Sequence, residues 1–249
     1  MGNAIESKTS VLRESAYPGR GIVIGQTPNG KAMIQVYWIM GRSPSSRNRV
    51  FVEENGSVKT DTVDKSVPVD PLTMYYPAKS VGNCHIVTNG DQTDTICESI
   101  QSGGSFEAAL NARTFEPDAP NYTPRISGAV NLDDAAHAYQ LCALKTVAGN
   151  PDWCTRQYFA YETAIPGFGH CITTYSDDGD PLPSFEGEPI VVELFDDLGE
   201  TCRFYWEVLN DDNKVSLLVK FIDLATNETS LEIANKYGEE DGGTTDKHR

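Results

Sequence analysis

The chain has 249 residues, 39% of them hydrophobic, which suffices for one large core or two small ones. With 36 acidic residues against 20 basic ones it carries a net charge of -16, and this excludes a surface built to neutralise nucleic-acid phosphates. The opening MGNAIESKTSVLRES lacks a signal peptide's apolar centre, and no apolar run approaches the roughly 20 residues that span a bilayer, so a cytosolic protein with no membrane partner is expected. Gly2 is followed by Ser7, one place late for an acylation motif. Cys84, Cys97, Cys142, Cys154, Cys171 and Cys202 form no C-x-x-C pair, so they read as reduced, packed thiols rather than zinc ligands. Cys84-His85 and His170-Cys171 are strand neighbours that point to opposite faces and cannot readily chelate one ion.

GIVIGQ and KAMIQVYWIM read as two strands of a hairpin turning at TPNG, with Asn29-Gly30 expected to supply positive φ angles. GRSPSSRNR is then an arginine-rich loop, and VFVEE resumes the β pattern. Cys84 to Thr88 is a further strand ending at Asn89-Gly90. Asp91 and Asp94 stand where the cap and first turn of a helix belong, with Ile96 and Ile100 on its buried face. Ser105 opens a second short helix through Phe106, Ala109 and Leu110. Pro117, Pro120 and Pro124 make FEPDAPNYTPR a loop.

From Ala135 to Val147 composition favours a helix, but the alternation of Tyr139, Leu141 and Ala143 favours a strand, and the strand is preferred. Cys154 to Ala164 and His170 to Tyr175 read as a strand pair around PGFG, and PIVVEL as a short buried strand. KVSLLVKFIDLA and TSLEIANKY flank Thr226-Asn227 as a second hairpin. Neither a repeat nor a composition shift divides the chain. One domain over 1–237 is expected, with an acidic, disordered tail over 238–249.

Chemistry concentrates in the polar joints of this pattern. Arg20, Arg42, Arg47 and Arg49 gather at the base of the first hairpin and in the loop leaving it, a local positive excess in an acidic chain. Guanidinium forks match a phosphate bidentately, and Ser43, Ser45 and Ser46 add donors, although a solvated loop with structural ion pairs has the same composition. Asn89 and Asn121 serve equally well as turn braces.

The order YPGR, GRSxxxRNR, TNGxxTD, FExDxxNYTPRI closely resembles the archaeal-type inosine monophosphate cyclohydrolase family, in which the runs look like YxGR, SRS followed by NR, SNGxxTD and D-x-NTPRI. The resemblance covers about Tyr17 to Asn131. Arg47 departs from a small or proline-like position, and Tyr122 intrudes between Asn121 and Thr123.

The resemblance implies an α+β fold, a four-layer αββα sandwich of the N-terminal-nucleophile hydrolase type, used without a processed nucleophile. It also implies cofactor-free, metal-free closure of 5-formamidoimidazole-4-carboxamide ribotide to inosine monophosphate (IMP). Arg20 is then the charge partner nearest the reacting centre, Tyr75 the donor to the formyl oxygen with Tyr76 its competitor, and Glu116 the proton carrier with Asp118 its alternative. Asn89, Asn121 and Arg125 hold the base and carboxamide, and Arg42 and Arg49, with Ser43 and Arg47 beside them, clamp the phosphate. The partner implied is a small purine ribonucleotide, and self-association is left open. An amide hydrolase on the same sandwich lacks an obvious nucleophile. A non-catalytic nucleotide-binding module would be favoured if Tyr75 and Glu116 stood away from the pocket.

Overall fold

The computed structural model describes residues 5–238. The expected acidic tail therefore lies outside the described residues from position 239 onward. A short helix, α1 (Thr9–Glu14), precedes the hairpin β1 (Gly21–Gln26) and β2 (Ala32–Met40). Only Gly30 of the turn takes a positive φ, +70°, because Thr27 Oγ1 accepts from the Lys31 and Ala32 amides and closes a longer loop than an Asn-Gly turn requires. The arginine-rich segment is not all loop. It holds the single turn α2 (Pro44–Arg47), closed by a reciprocal cap between Ser43 and Ser46.

There follow β3 (Val50–Glu54), β4 (Ser57–Asp61), a 3-10 turn at Pro71–Thr73, β5 (Ala78–Val81) and β6 (Cys84–Thr88). The helices α3 (Gln92–Gln101) and α4 (Phe106–Asn111) come next; Ser105 caps α4 as expected, but the Asp91 side chain makes no cap bond to α3. The chain continues through β7 (Arg125–Asn131), β8 (Tyr139–Val147), β9 (Asn150–Tyr161), β10 (Phe168–Thr173), β11 (Ile190–Glu193), α5 (Leu198–Val208), β12 (Lys214–Asp223) and β13 (Thr229–Asn235).

The strands form two antiparallel sheets, a six-stranded one in the order β11-β10-β1-β2-β12-β13 and a seven-stranded one in the order β3-β4-β5-β6-β7-β8-β9. The strand expected over 135–147 is β8. The expected pairing across PGFG is not formed: β9 pairs with β8, whereas β10 pairs with β1 in the other sheet. The PGFG segment carries the chain between sheets, and a crossover uses the same glycine and proline punctuation as a hairpin.

β2 is buried along its whole length because both of its faces are covered. Met33, Tyr37 and Ile39 join Ile22, Ile24, Val87, Ile126 and Leu141 in a cluster drawn from both sheets. Ile34, Val36 and Trp38 point the other way and pack with Leu12 of α1 and Cys202, Tyr205 and Val208 of α5. Ile96, Phe106 and Leu110 cover the seven-stranded sheet in a third cluster with Ile86 and Leu144. The segment before β1 thus contributes the packed helix α1, and α5 is a helix not expected from the sequence. All six cysteines are free thiols, five of them buried and Cys154 half-buried.

Candidate active site

Antiparallel registers bring several strand ends to one edge of the molecule. Gly21, the first residue of β1, pairs with Trp38 near the end of β2 and with Thr173 at the end of β10. In the other sheet Thr88 at the end of β6 pairs with Ser127 near the start of β7, and Ala78 at the start of β5 pairs with Val87. Arg20, Arg42, Arg49, Tyr75, Asn89, Arg125 and Tyr175 sit on or just beyond these ends.

The centre is an ion pair between Arg20 Nη2 and Glu116 Oε1 at 3.1 Å, the two side chains 15% and 4% exposed. Burial raises the Glu116 pKa, and the Arg20 and Arg125 charges only partly offset it. Arg20 Nε is buried without a partner among the described residues. Tyr75 is fixed at the edge of β4, where Thr60 Oγ1 accepts from its amide at 2.9 Å and its carbonyl accepts from the Thr60 amide. The Tyr75 hydroxyl lies 2.7 Å from that of Tyr37. Tyr76 instead donates to Glu54 and lies beneath Lys79, so it is engaged elsewhere.

The four arginines divide. Arg49 is 3% exposed, donates to the carbonyls of Ser46 and Met40 and leaves Nη1 without a partner among the described residues; burial, and then the Arg20 charge, lower its pKa. It joins Arg20, Tyr37 and Tyr75 in one electrostatic group. Arg42 is 41% exposed, pairs with Asp178 and lies 4.8 Å over the Tyr17 ring. Arg47 donates to the Gly41 carbonyl and Ser43 caps α2, so the structure engages both in bracing their own loop.

Asn89 is fully buried. Its oxygen accepts from the Ile126 amide at 2.8 Å and from Gln92, while its amide donates to the Pro124 carbonyl and, at 3.4 Å, to Glu116. Arg125 donates to Gln92 and pairs with Asp91 at 2.6 Å. That pairing explains the missing cap on α3. Asp118 accepts from the amide and the hydroxyl of Thr123, closing the loop that carries Glu116. Asn121 accepts from the Leu182 amide, away from the ion pair, and Tyr122 fits as a left-handed residue, φ +44°, against Phe115.

Tyr37, Tyr175 and Thr123 belong to the cluster and were missed in the sequence. A tyrosine hydroxyl facing a sheet-to-sheet core needs a partner, and that is the only signal Tyr37 offered. A surface cleft of about 400 Å³ opens on the far side of the Glu116 loop, lined by residues including Phe115, Pro117 and Tyr122, and holds none of the charged cluster.

Residues 17–228 match the model of a family described as IMP cyclohydrolase-like protein. An IMP cyclohydrolase of Methanococcus aeolicus is 33% identical over 128 residues, 49% of this chain and 62% of the relative. One of Methanopyrus kandleri is 33% identical over 114 residues, 45% of this chain and 57% of the relative, and one of Methanosphaera stadtmanae is 29% identical over 119 residues, 46% and 58%. These alignments thus cover about three fifths of each relative. The family match runs nearly a hundred residues past Asn131, where the resemblance in the sequence faded, and it takes in both sheets: this chain belongs to the IMP cyclohydrolase-like protein family.

Proposed function

We propose that the protein closes the ring of 5-formamidoimidazole-4-carboxamide ribotide to give IMP. The observation that carries the reading is the buried Arg20–Glu116 pair at 3.1 Å, set among Tyr75, Arg49, Asn89 and Arg125 in a chain of this family. Tyr75 and Glu116 share the cluster, which is why a non-catalytic module is the weaker reading.

In the reaction the carboxamide nitrogen bonds to the formyl carbon, and the formyl oxygen leaves as water with one proton from each flanking nitrogen. The site must hold the two groups in contact, stabilise the oxygen as it becomes negative and carry protons. Glu116, with its raised pKa, takes the carboxamide proton and returns it to the departing oxygen. Tyr75 donates to that oxygen, and Arg20 stabilises its charge. Arg49 and Arg42 bind the phosphate. Arg125 flanks the base, and Asn89, whose amide hydrogens are both engaged, positions Glu116 instead of holding the base.

The layered clusters support an αββα sandwich of the N-terminal-nucleophile hydrolase type. The head of β1 is Gly21, preceded by Arg20, so no serine, threonine or cysteine stands where such a nucleophile belongs. The same reading extends to one domain over 1–237, a cytosolic setting and a small nucleotide as partner. Incubation with the formamido ribotide, following IMP by absorbance, tests it. Acceleration over the spontaneous reaction is expected, and none would overturn the proposal.

A further inference from the structure

Tyr175 stands at the joint between the two segments that supply the ion pair. On one side it is pressed against the backbone leading into Arg20. Gly19 has φ +72°, and a Cβ there would lie 2.3 Å from Thr174 Oγ1 and 2.5 Å from the Tyr175 ring, so only glycine permits the approach. The Arg20 amide donates to Thr174 Oγ1 at 3.1 Å, the Thr174 amide to the Arg20 carbonyl at 2.8 Å and the Tyr175 amide to the Pro18 carbonyl at 3.2 Å. The Tyr175 ring stacks on Tyr17, centroids 6.1 Å apart.

On the other side its hydroxyl meets the Glu116 loop, 2.6 Å from Thr123 Oγ1. The Thr123 hydroxyl has one hydrogen and gives it to Asp118, so Tyr175 is the donor in this contact. The Thr123 carbonyl in turn accepts from the Glu116 amide at 2.9 Å. Tyr175 is 5% exposed, and burial pushes its pKa up to about 12, which keeps the donated proton in place.

We propose that Tyr175 is a positioning residue: its hydroxyl latches the loop of Glu116 to the strand end of Arg20 and so sets the geometry and proton affinity of the pair. It acts through Thr123 and takes no part in bond making. The kinetic half of this inference rests on the ring-closure reading; the effect on Glu116 does not. A shift of about 1 Å in such a pair is enough to cost on the order of a hundredfold in rate.

Tyr175→Phe removes only the latch. Expected are a kcat about tenfold lower, a KM within about twofold, and an acid limb of the kcat profile moved to higher pH, because a loosened Arg20 lowers the Glu116 pKa less. Thr123→Val is expected to reproduce these changes, and the double variant to be no worse than the poorer single one. Titration of the Glu116 carboxyl by carbon NMR reads the same shift without turnover. If the wild-type protein closes no ring, the proposed function fails while the titration still decides the latch. If Tyr175→Phe lowers only the melting temperature and leaves both kcat and the Glu116 titration unchanged, Tyr175 is merely structural and the inference is overturned.

Discussion

Strand β2 turns two polar side chains, Gln35 and Tyr37, toward the facing sheet, and each enters a different buried network. Tyr37 joins the Arg20–Glu116 cluster, where both signs of charge meet. Gln35 donates to the His85 carbonyl at 3.0 Å and lies opposite Lys220 on β12, whose ammonium donates to Ser80 at 2.8 Å; Ser80 lies 3.0 Å from His85 Nδ1. This second network bridges the sheets with one cation and, among the described residues, no carboxylate. Burial accordingly lowers the Lys220 pKa to about 8 and, with help from Lys220, that of His85 to about 4. Two neighbouring positions on one strand thus lead to different surroundings: opposite charges meet where strand ends converge, whereas the Lys220 ammonium, with no carboxylate partner among the described residues, is pressed by burial toward neutrality.

The comparison breaks most sharply at Glu116. Glu116→Gln is expected to lower kcat by about 10²–10⁴-fold, as loss of a general acid–base group does, with the melting temperature lowered because the buried Arg20 loses its counter-charge. Steady-state kinetics beside thermal melts check both. Tyr75→Phe is expected to slow turnover about ten- to a hundredfold with little change in KM, and a KM effect alone would recast Tyr75 as a binding residue. Arg42→Ala should raise KM several-fold at nearly constant kcat, since Arg42 is exposed and paired with Asp178 at the rim.

The smallest effect on activity is expected from Lys220→Met, which leaves kcat unchanged and alters stability. The native lysine, at about 8 against an ordinary 10.5, binds its proton more weakly than the unfolded chain does. Its penalty is therefore full below pH 8 and is relieved as pH rises from 8 to 10.5. The variant should gain stability at neutral pH, on the order of 1–3 kcal/mol, and lose that rise with pH in urea titrations.

Alternation made the β1–β2 hairpin, β6, β8 and the β12–β13 hairpin legible, because each has apolar residues at strand spacing and a clear turn. The crossover at PGFG was not legible, since partner choice between two sheets leaves no local mark. α5 was overlooked although Asp197 caps it and Leu198, Cys202 and Tyr205 keep helical spacing. Among the candidate site residues, Arg20, Glu116, Asn89 and Arg125 stood out through motif order, and Tyr75 through the family resemblance alone. Tyr37 and Tyr175 did not, because they lie within or beyond apolar strands and gain their meaning only from neighbours across the sandwich. Arg47 and Ser43 show that polar residues in a suggestive loop can be engaged in holding that loop.

Ring closure is proposed to rest on the Arg20–Glu116 pair. Its most direct test is the rate of IMP formation from the formamido ribotide with the wild-type protein and with Glu116→Gln, at equal concentration and with folding verified. Acceleration by the wild type that is lost in the variant is the predicted result. Equal rates for the two proteins would contradict it.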